Sequence, residues 1–95
     1  MQNENSRQIN RHIGSGLLLA RTVRGASLKQ LANATGLSLQ RLERLEGGLV
    51  EATPRDLLLL AASLGIPVQF FFEGLEDEVH ETARRERIST DFAIH

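Results

Sequence analysis

The side chains best equipped for recognition chemistry lie close together in the chain: Lys29, Ser38, Leu39, Gln40, Arg41 and Arg44. A glutamine amide both donates and accepts, so it pairs with an edge that does the same, as adenine does. An arginine fork matches two adjacent acceptors, such as a guanine edge. Leu39 offers an apolar contact suited to a thymine methyl, and Ser38 and Lys29 suit phosphate oxygens. The plainer reading of Arg41 and Arg44 is two solvated arginines paired with Glu43 or Glu46. Reaction chemistry has no comparable cluster. The chain has no cysteine, which excludes a disulfide scaffold, a thiolate zinc site and a cysteine nucleophile. His12, His80 and His95 are far apart, with no carboxylate at ligand spacing, and read as surface residues. No Ser/His/Asp arrangement, glycine-rich phosphate loop or paired carboxylates can be assembled. Neither an enzyme, a metal site nor a cofactor is expected.

The elements that must position these residues are helices. Residues 1–8 are polar and read as a flexible arm. From Ile9 the pattern turns helical, with Ile13, Leu17, Ala20 and Arg21 on one face. Gly25 ends this helix, and Arg24 complements its C-terminal dipole. Ser27 and Gln30 form a capping-box pattern ahead of a short helix with Leu28, Leu31 and Ala32 apolar. Thr35–Gly36 ends it, Ser38 caps a third helix over Leu39–Glu46 with Leu42 and Leu45 inward, and Gly47–Gly48 stops it. Thr53, Pro54 and Asp56 open a fourth helix, whose buried stripe is Leu57, Leu60, Ala61 and Leu64 before Gly65. Pro67 opens a short fifth helix with Val68, Phe71 and Phe72. Three consecutive phenylalanines cannot share one helical face, so Phe70, Phe71 and Phe72 cannot all be buried.

The 95 residues suffice for one compact domain, and 41% hydrophobic with 24% charged residues is a soluble globular balance. With 4% aromatics, and neither Trp nor Tyr, the core must be mainly aliphatic. The longest apolar runs, residues 17–20 and 57–62, fall far short of the ~20 residues that cross a bilayer. Residues 1–12 lack the apolar segment of a secretory leader, and a cytoplasmic location is expected. The net charge of −1 conceals an asymmetry. Residues 1–46 carry seven basic and three acidic side chains, whereas residues 47–95 carry four basic and nine acidic ones.

Residues 27–48, SLKQLANATGLSLQRLERLEGG, have the layout of a helix-turn-helix. Ala32 permits close helix approach, Gly36 permits a positive φ in the tight turn, and Leu37, Leu42 and Leu45 pin the second helix so that its other face projects outward. On this evidence residues 13–72 resemble the lambda-repressor/Cro-like, or XRE-type, helix-turn-helix family. The matching positions are Ile13–Gly14, Arg21, Gly25, Ser27, Leu31–Ala32, Gly36–Leu37–Ser38, Glu46, Gly48, Pro54, Leu57, Leu60–Ala61, Leu64–Gly65 and Phe72. The resemblance implies an all-α, five-helix domain over residues 9–74, followed by a charged segment over 75–95. It also implies a transcriptional regulator, a repressor working as a homodimer on an inverted repeat in double-stranded DNA. Gln40 matches a base-reading position of the family, and Phe71 and Phe72 match its core positions, which leaves Phe70 for the surface. Arg21 and Glu46 match positions that form an internal ion pair, which would lock the recognition helix to the first helix.

The chain also departs from the family pattern. Leu28 stands where members carry a glutamine that braces a phosphate, and Gly16 and Leu18 stand where the first helix usually has arginines. Leu18 and Leu19 lie off the core face. With Phe70 and Leu75 they are read as a candidate interface, either covered by residues 75–95 or engaged by a partner. Five acids (Glu73, Glu76, Asp77, Glu78 and Glu81) fall within nine positions and would repel DNA. These departures support a second expectation, a protein-interaction module of the same fold such as an antitoxin or anti-repressor, with a partner bound through the tail. Val79 and Ala83 lie near one face if the tail extends as a dimerisation helix.

Overall fold

A computed structural model describes residues 4–75. It contains four α-helices, α1 (Glu4–Arg24), α2 (Leu28–Thr35), α3 (Leu39–Glu46) and α4 (Pro54–Leu64), followed by a 3₁₀ segment, Val68–Phe72. No strand occurs among the described residues. The readings of residues 76–95, including a dimerisation helix and His80 and His95, lie outside the described residues.

Local capping explains the helix boundaries. The Ser27 hydroxyl accepts from the Gln30 N–H while the Gln30 side chain accepts from the Ser27 N–H, a complete capping box. Thr53 and Asp56 do the same at α4, where Pro54 occupies the first turn and its missing N–H costs nothing. Ser38 caps α3 by accepting from the Arg41 N–H. Gly36, at φ +81°, ends α2 in the left-handed conformation that lets the chain turn sharply into α3.

The core is built from Ile13, Leu17 and Ala20 of α1, Leu31 of α2, Leu42 and Leu45 of α3, and Leu57, Leu60, Ala61 and Leu64 of α4, closed by Phe71. α3 packs across α1, and α2 packs against both α3 and α4. The α1–α3 crossing is close because residue 14 has no side chain. A Cβ there would stand 2.5 Å from the Glu46 carbonyl oxygen and 2.6 Å from that of Leu45.

The structure corrects several expectations. α1 begins at Glu4, so residues 4–8 are helical and not part of an arm. Residues 5–8 contain no glycine or proline, and half-buried Ile9 and buried Asn10 anchor the turn that follows, so elongation toward the N-terminus is cheap once α1 is nucleated. The fifth helix is a single 3₁₀ segment, since Pro67 supplies no side-chain cap and five residues are too few to propagate an α-helix. The two flanking phenylalanines exchange places. Phe72 is 44% exposed, whereas Phe70 is half-buried with its ring edge-on to Phe71. Phe70 lies over Gly16 of α1, where a Cβ would stand at an ordinary contact distance of 3.5 Å from the ring. Leu75 is buried, the chain having turned at Gly74 (φ +82°), which lies against His12.

Candidate nucleic-acid interface

α3 turns Leu42 and Leu45 into the core and leaves Leu39, Gln40, Glu43 and Arg44 exposed. Gln40 and Arg44, four residues apart, are neighbours on one helical face. Neither side chain hydrogen-bonds within the described residues, so the amide and the guanidinium are both available to a ligand. Ser38 stands at the entry to α3, where its hydroxyl oxygen already accepts from the Arg41 N–H and its proton remains free to donate. Lys29 is exposed on the first turn of α2. Leu28, in place of a phosphate-bracing glutamine, packs against the core.

Arg41 is not directed outward with Gln40 and Arg44. Its Nη2 lies 2.6 Å from Asp56 Oδ2 and its Nε 3.2 Å from Oδ1, a forked pair, and Nη2 also donates to the Glu51 carbonyl at 3.3 Å. The expectation had Arg41 facing outward to read a base; here its guanidinium is engaged by Asp56. For Arg41 the acid involved is also neither Glu43 nor Glu46, the partners that the plainer reading offered. The reason is geometric: Asp56, 3% exposed at the start of α4, needs a cation to offset its burial. Burial by itself pushes the Asp56 carboxyl up. Hydrogen bonds from Arg41 and from the Thr53 N–H (2.8 Å) outweigh it, and the net position is below the ordinary carboxylate value. The Asp56 hydrogen bond likewise raises the Arg41 guanidinium above its ordinary value, against a smaller opposing effect of burial.

Arg21 and Glu46 are brought together in a second forked pair, Nε to Oε2 at 2.6 Å and Nη2 to Oε1 at 2.9 Å. Arg21 Nη1 further donates to the Ala26 carbonyl at 3.3 Å. The pair ties the end of α3 to the last turn of α1, and its hydrogen bond raises the Arg21 guanidinium above its ordinary value.

The residues read as a candidate interface separate. Leu18 and Leu19 are exposed on α1, at 46% and 56%. Leu19 and half-buried Phe70 line a shallow apolar depression with Ala20, Val23, Arg24 and Ile66. Leu75 is buried and Leu18 is not among the lining residues. Sequence reasoning missed Asp56 as a partner of α3 and Glu43 on the exposed face. The signal for Asp56 was available, since a capping carboxylate immediately before the buried Leu57 is drawn inward with its helix. No group of His, Cys, Asp or Glu among the described residues is arranged to hold a metal. No described helix is long and apolar enough to cross a membrane.

No protein-family model matches the chain. It is 34% identical over 62 residues to an uncharacterised HTH-type transcriptional regulator of Sinorhizobium medicae, covering 65% of this chain and 45% of that protein. It is 30% identical over 76 residues to an uncharacterised HTH-type transcriptional regulator of Rickettsia conorii, covering 80% of this chain and 61% of that protein. The chain thus spans less than two thirds of the length of these relatives. Among solved structures, the clp gene regulator ClgR of Corynebacterium glutamicum superposes with a TM-score of 0.69 at 25% identity, covering 85% of this chain and 86% of that one. Both of these relatives thus carry the name of helix-turn-helix-type transcriptional regulators, and the solved neighbour that of a gene regulator.

Proposed function

We propose that the chain is a transcriptional regulator of the lambda-repressor/Cro-like, XRE-type class that reads double-stranded DNA through α3. It acts as a repressor in the cytoplasm and as a homodimer on an inverted repeat. The observation that carries this reading is the exposed Gln40–Arg44 face of α3, whose side chains have no partner within the described residues. Eight helical residues span about 12 Å, which fits the major groove. In that groove Gln40 pairs with adenine, Arg44 with guanine, and Leu39 touches a thymine methyl. Lys29, Ser38 and the free N–H groups at the starts of α2 and α3 hold phosphates and set the register. Two such helices in a symmetric dimer reach half-sites about 34 Å apart.

The test is selection from a random duplex library at two salt concentrations. Recovery of an inverted repeat, bound more weakly as salt rises, supports the dimeric operator reader. Recovery of no sequence by folded protein refutes it. The second reading, a protein-interaction module of antitoxin or anti-repressor type, then takes its place, favoured by the exposed Leu19 and Val23 beside the apolar depression on α1.

A further inference from the structure

α3 is held by forked ion pairs on both of its flanks. At about 100° per residue, Leu42 and Leu45 together define the inward direction of the helix. Arg41 and Glu46 then lie roughly 70° to either side of that direction. One side is tied by Arg41 to Asp56 of α4, the other by Glu46 to Arg21 of α1. Gln40 and Arg44 project from the opposite face. Arg41 and Asp56 also occupy equivalent places, each the third residue of its helix. Arg41 donates its N–H to the Ser38 cap, and Asp56 closes the Thr53 cap. Their pairing therefore joins the first turn of α3 to the first turn of α4 directly, across the loop of residues 47–53.

We propose that Arg41 and Asp56 form a positioning pair that, with Arg21–Glu46 on the other flank, sets the roll of α3 and so decides which base edges Gln40 and Arg44 meet. This inference rests on the DNA-reading role proposed for α3. Recognition groups must be held to within about 0.5 Å and 10–20° of their working geometry. Apolar contacts at Leu42 and Leu45 resist translation of the helix toward or away from the core but resist a small roll only weakly, because they are non-directional. Forked arginine–carboxylate pairs are directional, and one on each flank opposes roll in both senses. Asp56, buried on another helix, has no access to DNA, so any influence it has on base preference must pass through α3.

The experiment compares Asp56→Asn, Arg41→Gln and Arg44→Gln with the unaltered chain in the random-library selection. Asparagine keeps an acceptor for the Thr53 N–H while discarding the charge, so the α4 cap persists in Asp56→Asn. The expected result is that Asp56→Asn and Arg41→Gln lose discrimination at the same base pairs, by about tenfold, with the salt dependence of binding unchanged. Arg44→Gln loses it at one guanine only. The proposal is overturned if Asp56→Asn keeps the full preference, or if Arg41→Gln alone abolishes a guanine preference, since Arg41 would then be reading a base itself. Amide hydrogen exchange of α3, measured without DNA, separates this inference from the proposed function. Faster exchange over residues 42–46 in both Asp56→Asn and Arg41→Gln is expected, and unchanged exchange in Asp56→Asn refutes the clamp. Should the unaltered chain select no DNA, the proposed function fails and the exchange measurement alone decides whether the pair holds α3.

Discussion

Replacing Gly14 by alanine tests the helix crossing on which the candidate interface depends. The new Cβ would stand 2.5 Å and 2.6 Å from two carbonyl oxygens of α3. Both obstacles are backbone, so no flexible side chain can swing aside, and α1 and α3 must separate by roughly half an ångström or more. Overpacking of this kind costs about 1–3 kcal/mol, and a backbone obstacle places it near 3. Alanine recovers about 1 kcal/mol through its better helix propensity. The net expectation is a loss of about 2 kcal/mol, which for a domain of this size lowers Tm by about 8–16 °C. Gly16 provides the control on the same helix. A Cβ there meets the Phe70 and Phe71 rings at 3.5 Å and 3.7 Å, ordinary contact distances. Gly16→Ala is therefore expected to gain about 1 kcal/mol. Urea and thermal denaturation followed by circular dichroism at the helix band measure both variants. Stabilities of the two alanine variants within about 0.5 kcal/mol of each other would refute the argument that the missing Gly14 side chain sets the α1–α3 distance.

Four further expectations concern the two ion pairs and the residues proposed to meet DNA. Removing either Arg21 or Glu46 as alanine should cost about 3 kcal/mol, the low end for a buried pair because the side chains retain 22% and 15% exposure. A double-mutant cycle should return a coupling above 1 kcal/mol, and a value under about 0.5 would show the pair to be energetically idle. The Asp56 carboxyl lies below its unfolded value, so its contribution is fully present above the unfolded pKa of about 3.9 and is lost as pH falls through the folded value. The stability difference between the unaltered chain and Asp56→Asn should accordingly shrink below about pH 5, and a difference that stays constant down to pH 2 would contradict the assignment. For DNA, Gln40→Ala should cost about 1–3 kcal/mol at the selected site and relax preference at one base pair. Lys29→Gln should instead weaken binding to all sequences alike and lower the salt slope by about one.

How much was legible in the sequence depended on how far each interaction reaches. The starts of α2, α3 and α4 were readable from Ser27–Gln30, Ser38 and Thr53–Pro54–Asp56 because caps bond over three residues, whatever else the chain does. The inward stripes were readable from helical spacing for the same reason. The 3₁₀ segment was misjudged because its side chains are distributed by a different turn angle, and because the surface that Phe70 packs on lies at Gly16 of α1, more than fifty residues earlier. Resemblance led to Arg21 and Glu46 together, a pairing across 25 residues that no local pattern in this chain specifies.

The sequence by itself determined four helices, all of their ends except the start of α1, their inward residues and an outward Gln40 and Arg44, since these follow from local bonding and periodicity. Tertiary structure decided the direction of Arg41. On a helical wheel it stands at the border between the buried and exposed faces, where either neighbour can claim it. Only the fold that brings the first turn of α4 to the first turn of α3 places Asp56 within 2.6 Å, and a carboxylate buried to that degree outcompetes water for the guanidinium. Charge and spacing are properties of the chain, but the partner of a borderline charge is a property of the fold.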